Sequence, residues 1–221
     1  PRLQRGYSEG RYVGRDELDG YRHSALGALG TALSESLCPG HGITQSGPEQ
    51  QEEALSVLEA HLDLNRRCWT HCPELIVRAQ ADYANGLMMF GRDDEALPLL
   101  RAVHEKRVAL LGPRHRDSIG AANSLAITLS SPGHYAEARA IFRQILLYAR
   151  ELDRQDDTRL RVAGAFSRAV LNDDDCPTAE LREMSKVMDD TSRAARLMLG
   201  ATHPVARQLE IDLARVRARL S

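Results

Sequence analysis

The sequence predicts an all-α fold made of antiparallel helix pairs stacked in a row. Three observations carry that expectation. Apolar residues make up 43% of the 221 residues but aromatics only 5%, so Leu, Ala and Val supply the core. Ala and Leu favour helix, and the aromatics that favour strands are scarce. Apolar positions also recur at helical spacing in segment after segment. Finally, Ala54, Ala96 and Ala138 each follow a glutamate and lie 42 residues apart, with Ala179 close to the next expected place.

Four segments fall into register: EEALSVLEAHL (52–62), DEALPLLRAVHEKR (94–107), AEARAIFRQILLYAR (136–150) and TAELREMSKVM (178–188). Turn signals precede two of them, with Gly91 and Gly133 each five residues before its alanine. Glycine there closes the preceding helix in the left-handed conformation, which costs other residues more. Upstream of each turn runs another helical pattern, with Tyr83, Ala84 and Leu87 in one and Leu125, Ala126 and Leu129 in the other. The small residue lets two helices approach, and the larger ones fill the groove. The unit is therefore helix A, tight turn, helix B and a junction, and no unit buries its face alone.

The elements follow in order. Helix A1 is expected over 16–37 and B1 over 48–68, with an inserted turn between them in which Ser46 and Glu49 have capping-box spacing. A2 is expected over 73–90, B2 over 93–112, A3 over 116–130, B3 over 135–152, A4 over 157–172 and B4 over 178–199. A last helix over 203–220 carries Val205, Leu209, Leu213, Val216 and Leu220 on one stripe, as a capping helix should. The domain organisation read from this is a basic arm over 1–15, a divergent first pair over 16–72, regular pairs over 73–202 and the capping helix over 203–221.

The runs YANGLMMFGRDDEALPLL and LAITLSSPGHYAEARAIF resemble the tetratricopeptide repeat, with an apolar-Ala pair, a Leu three residues on, and Gly-x-x-x-x-Ala. The 34-residue tetratricopeptide unit is too short for the period here. The longer period, with the junctions LLGPRHRDSI (110–119) and LGATHPVA (199–206), is similar to kinesin-light-chain-type repeats. That label names a repeat subtype and does not imply a motor. The resemblance implies a right-handed superhelical solenoid of about four units plus the capping helix. The fourth unit departs from the pattern, because its turn NDDDCPTA (172–179) has no glycine.

The resemblance also implies protein binding on a concave surface lined by the A helices. The residues at the facing offsets are Arg78, Asp82, Asn85, Met89, Asn123 and Ile127, with Arg161 and Arg168 from the fourth unit. Asparagine amides pair with a ligand backbone, and arginine takes a carboxylate in fork geometry. Each of these residues also reads as an ordinary solvated helix position.

Chemistry is harder to find. Cys38 and His41 lie at one end of B1, and Cys68, His71 and Cys72 at the other. About 20 helical residues separate the two clusters by roughly 30 Å, whereas zinc needs every ligand about 2 Å from one point. His71 precedes His115 by 44 residues and His115 precedes His203 by 88, so CWTH occupies the junction place of GPRH and GATH. Pro73 then opens the next helix. No metal and no cofactor is expected. No Gly-x-Ser-x-Gly, phosphate loop or His-Glu-x-x-His is present, and no enzyme activity is expected. Asp173, Asp174 and Asp175 read as support for the N-terminus of B4 rather than a cation site. Met88, Met89, Met184, Met188 and Met198 read as core or as an adaptable surface.

The arm differs from the rest, with Arg2, Arg5, Arg11 and Arg15 against one glutamate, and three Gly and two Tyr. It reads equally as a linker or as a basic segment that docks on an acidic partner, a membrane surface or RNA. A net charge of −2 and only two lysines, Lys106 and Lys186, speak against nucleic acid. Four cysteines without a framework do not suggest a secreted disulfide fold, and no apolar run is long enough to span a membrane. The compartment expected is intracellular, either cytoplasmic or organellar after removal of a targeting peptide. The leading expectation is a non-catalytic scaffold or adaptor, or a subunit of a multi-protein complex, that binds protein partners and no small-molecule substrate. A regulatory module of a larger enzyme and an RNA-associated helical repeat are the alternatives.

Overall fold

The computed structural model describes residues 24, 25, 27–29, 32, 47–130, 134–152 and 157–221. Eight helices have described bounds: α1 Pro48–Cys68, α2 Pro73–Met89, α3 Asp93–Leu111, α4 Arg116–Leu129, α5 Tyr135–Ala149, α6 Thr158–Asn172, α7 Thr178–Leu199 and α8 Pro204–Ala218. Each bound lies within three residues of the one expected from the 42-residue spacing. In the repeat notation α2, α4, α6 and α8 are A helices, and α1, α3, α5 and α7 are B helices. The arm residues Arg2, Arg5, Arg11 and Arg15, together with Cys38, His41, Ser46 and Gly133, lie outside the described residues. Two compact units emerge, Pro1–Leu99 and Leu100–Ser221, and their boundary falls within α3.

In the first unit α1 packs against α2. The apolar stripe Ala54, Leu55, Leu58 and Leu62 is buried on α1, and Val77, Ala81, Ala84 and Leu87 are buried on α2. Burying one such leucine contributes about 1.5–3 kcal/mol relative to leaving it exposed. Gly27, one of the helical residues upstream, lies so close to α1 that an added Cβ would sit 2.8 Å from the His61 ring. Helix α1 opens one residue later than the expected capping box: Pro48 takes the first helical position, and the Gln50 side chain accepts a 3.2 Å hydrogen bond from the Gly47 N–H. Pro73 opens α2 as expected, since the first helical N–H has no intrahelical partner to lose. Gly91 has φ +74°, the conformation the turn signal called for. Beside it Arg92 pairs with Glu95 at 2.6 Å and with Glu52 at 2.7 Å, tying the turn to α1.

In the second unit α4 packs on α5, α5 on α6, α6 on α7 and α7 on α8, while the A helices α4, α6 and α8 also touch in series. Ile119, Leu125, Ala126 and Leu129 of α4 meet a core that includes Ala138, Phe142, Leu146, Val162, Phe166, Met184, Met188, Leu209 and Val216. Phe142 and Phe166 stack with ring centroids 5.5 Å apart. The junctions are built alike. Gly112 and Gly200 end α3 and α7 with φ of +84° and +90°, and His115 and His203 then cap α4 and α8. Each imidazole Nδ1 accepts a backbone hydrogen bond, from Asp117 at 3.1 Å and from Val205 at 3.2 Å. This is the work that serine or aspartate does at most N-caps.

The fourth segment keeps the 42-residue register: the buried set Arg139, Phe142, Ile145, Leu146 and Ala149 recurs 42 residues on as Leu181, Met184, Val187, Met188 and Thr191, with Glu180 at the place of Ala138. Two local expectations are corrected. Asp173 does not support the N-terminus of α7; its carboxylate is buried against Arg139. Val205 of the capping stripe is 39% exposed, while Leu209, Leu213 and Val216 are buried.

Candidate partner-binding face on the A helices

The residues proposed from the sequence fall on three A helices. Arg78, Asp82, Asn85 and Met89 follow one another by about a turn along α2, in the first unit. Arg78 is exposed, and the other three are half-buried. In the second unit Asn123 and Ile127 lie one turn apart on α4 and are half-buried, while Arg161 and Arg168 are exposed on α6.

The two asparagines share a feature. The Oδ1 atoms of Asn85 and Asn123 are each buried with no hydrogen-bond partner among the described residues. An amide oxygen left this way costs about 1–3 kcal/mol. A backbone N–H laid along the helix, met by a turn of the amide, recovers that cost.

The arginines divide. Arg161 is committed to its own helix, with its guanidinium 3.3 Å from Asp157 and 3.2 Å from the Thr158 hydroxyl, which accepts. Arg78 and Arg168 make no ion pair among the described residues and are exposed to solvent. Beside Asp82, burial raises the Tyr83 phenol above its ordinary range, and Glu59 adds to the effect.

Helix α8 contributes residues that the sequence reading passed over. Gln208, Ile211 and Arg215 stand at the same distances from His203 as Gly120, Asn123 and Ile127 from His115. Ile211 is 53% exposed and lies on a helix that packs against α6. The 88-residue spacing of the two junction histidines was the signal available to place it.

The methionines separate by position. Met184 and Met188 are core residues, Met198 is 40% exposed, and Met88 and Met89 are half-buried. Cys68 closes α1 and Cys72 precedes Pro73, both as half-buried thiols outside any disulfide among the described residues. The Trp69 and His71 rings lie 5.9 Å apart in the turn between them. Among the described residues no group of three or more His, Cys, Asp or Glu is placed to hold a metal, and no helix is long and apolar enough to cross a membrane.

Residues 75–151 match the tetratricopeptide repeat family model. That span covers the two A–turn–B blocks in which the 42-residue spacing is clearest, and the helices continue in the same A, B order beyond it. Over that span the chain carries tetratricopeptide repeats. Two solved structures share the fold. They are the nearly identical TPR-like repeats assigned to a kinesin light chain of Podosopora anserina, and a point variant of them. The variant superposes with a TM-score of 0.69 at 19% identity, covering 89% of this chain and 85% of its own. The other superposes with a TM-score of 0.68 at 18% identity, covering 89% and 86%. No curated protein matches the sequence. Tetratricopeptide repeats are generally protein–protein interaction modules, and no catalytic domain is identified in this one.

Proposed function

We propose that this tetratricopeptide-repeat chain is a non-catalytic scaffold or adaptor, holding a protein partner on the A-helix face. The observation that carries the reading is the pair of unsatisfied amide oxygens on Asn85 and Asn123, two half-buried residues at facing offsets of A helices. Both amides are positioned to bond a partner's backbone. The unpaired guanidiniums of Arg78 and Arg168 add donors for carboxylates on the same helices. Ile127 on α4 and Ile211 on α8 supply apolar contact. The N-terminal arm is a second contact in this reading, through Arg2, Arg5, Arg11 and Arg15.

Co-purification from the native source tests the proposal. The parent chain should capture a defined protein set. Arg78→Glu with Asn123→Ala should reduce that capture while leaving the helical circular dichroism signal unchanged. Undiminished capture by the folded variant would move the binding site off the A helices.

A further inference from the structure

Two departures from the repeat pattern meet in the second unit. The position just after the small B-helix residue is Leu55, Leu97 and Leu181 in three repeats but Arg139 in the third. The small residue itself is Ala54, Ala96 and Ala138 in three repeats but Glu180 in the fourth. Each change alone would bury a charge where the other repeats bury a methyl or an isobutyl group. Together they pair: Arg139 Nε lies 2.6 Å from Glu180 Oε2, an ion pair whose N–H does not point along a hydrogen-bond line.

A third departure completes the group. Asp173, in the turn that lacks glycine, pairs with Arg139. Arg143 holds the other Glu180 oxygen at 2.9 Å and also reaches Glu183. The side chains of Arg139, Asp173 and Glu180 are only 10%, 11% and 19% exposed. The ion pair at the neighbouring B-helix contact, Arg101 with Glu137, is 43% and 41% exposed. Cys176 is buried beside the group, where desolvation raises its thiol pKa and its Sγ–H points at Glu180 over 3.9 Å.

A buried ion pair is a poor route to stability, because desolvation offsets the attraction and an apolar pair of similar volume does as well. The other repeats use that apolar solution. We propose that Arg139, Asp173 and Glu180 form an address that fixes the order of the repeats, making the third pair accept the fourth and no other. A chain of similar helix pairs can dock in the wrong order or exchange pairs with a second copy. A B helix with leucine at the Arg139 position offers buried Asp173 no cation and leaves Glu180 at most the more exposed one at the Arg143 position. An alanine at the Glu180 position offers Arg139 no carboxylate. Each wrong pairing leaves a buried charge alone, which is the penalty that specifies register elsewhere.

Refolding of the full chain tests the address. Arg139→Leu strands Asp173 and leaves Glu180 with Arg143 alone, and should lower the melting temperature. The triple variant Arg139→Leu, Asp173→Ser and Glu180→Ala installs the residues found at the equivalent places of other repeats. It should melt at or above the parent. After dilution from denaturant it should give a several-fold larger share of exchanged dimer by size exclusion with light scattering, and doubled amide resonances. Arg139→Lys keeps the charge and should refold as the parent does. A triple variant that refolds to the parent's distribution overturns the address and leaves a plain ion pair. One that does not fold also overturns it, because the charges would then be needed for stability rather than for order.

Discussion

At the scale of single residues, the end of the chain is secured by one side chain. The Arg219 guanidinium donates to the carbonyl oxygens of Val170, Leu171, Asp173 and Asp174 at 2.9, 3.2, 3.0 and 3.0 Å. The last carbonyls of a helix have no intrahelical donor, and a cation there also complements the helix dipole. Arg219 thus fastens the end of α8 to the end of α6. Arg219→Met keeps the aliphatic stem and removes the donors. It should cost about 1–3 kcal/mol of stability, read as a lower denaturant midpoint with an unchanged slope. An unchanged midpoint would mean that water replaces the guanidinium at no cost. Nothing in the sequence announces this contact, because it joins positions 45–49 residues apart through the reach of one flexible side chain. Arg161 is different, since Asp157 lies four residues before it, a spacing at which helical ion pairs form and at which Arg168 has no acid.

At the scale of the helix pair, most of the architecture was legible. The 42-residue return of Glu-Ala, the glycines and the Leu-Gly-x-x-His junctions are local signals that recur, so one correct pair places the next. Gly91 at φ +74° and the imidazole caps of α4 and α8 are what those signals mean physically. In the fourth pair Glu180 occupies the small-residue place and Ala179 lies one residue before it. A charge there contradicts the apolar rule, and its partners Arg139 and Arg143 explain it. The three ordinary small positions, Ala54, Ala96 and Ala138, are fully buried. Ala138→Asp should therefore unfold its pair, with a loss of several kcal/mol from an unpaired buried charge. Thermal melting followed at 222 nm reads the effect; a variant that melts with the parent would show that Ala138 is not at a helix contact.

At the scale of the whole chain, the proposed partner binding rests on what the A helices present. Arg78 on α2 and Arg168 on α6 are exposed, the half-buried Asn85 of α2 and Asn123 of α4 each hold a buried, unpartnered Oδ1, and Ile211 and Arg215 of α8 lie at matching offsets. Ion pairs occur on both sides, Arg101 with Glu137 and Arg143 with Glu183 on B helices and Arg161 with Asp157 and Arg215 with Asp212 on A helices, so the proposal rests on the amides and on Arg78 and Arg168. The sequence alone assigned the A-side residues by offset, but it missed α8 because that helix was read only as a cap. The most direct measurement is site-specific photo-crosslinking in the native source. A photoreactive side chain would be placed at Ile127 on α4 in one preparation and at Leu147, 59% exposed on α5, in another. The account predicts discrete crosslinked partner bands from position 127 and none above background from 147. Equal labelling, or bands from 147 alone, would contradict it.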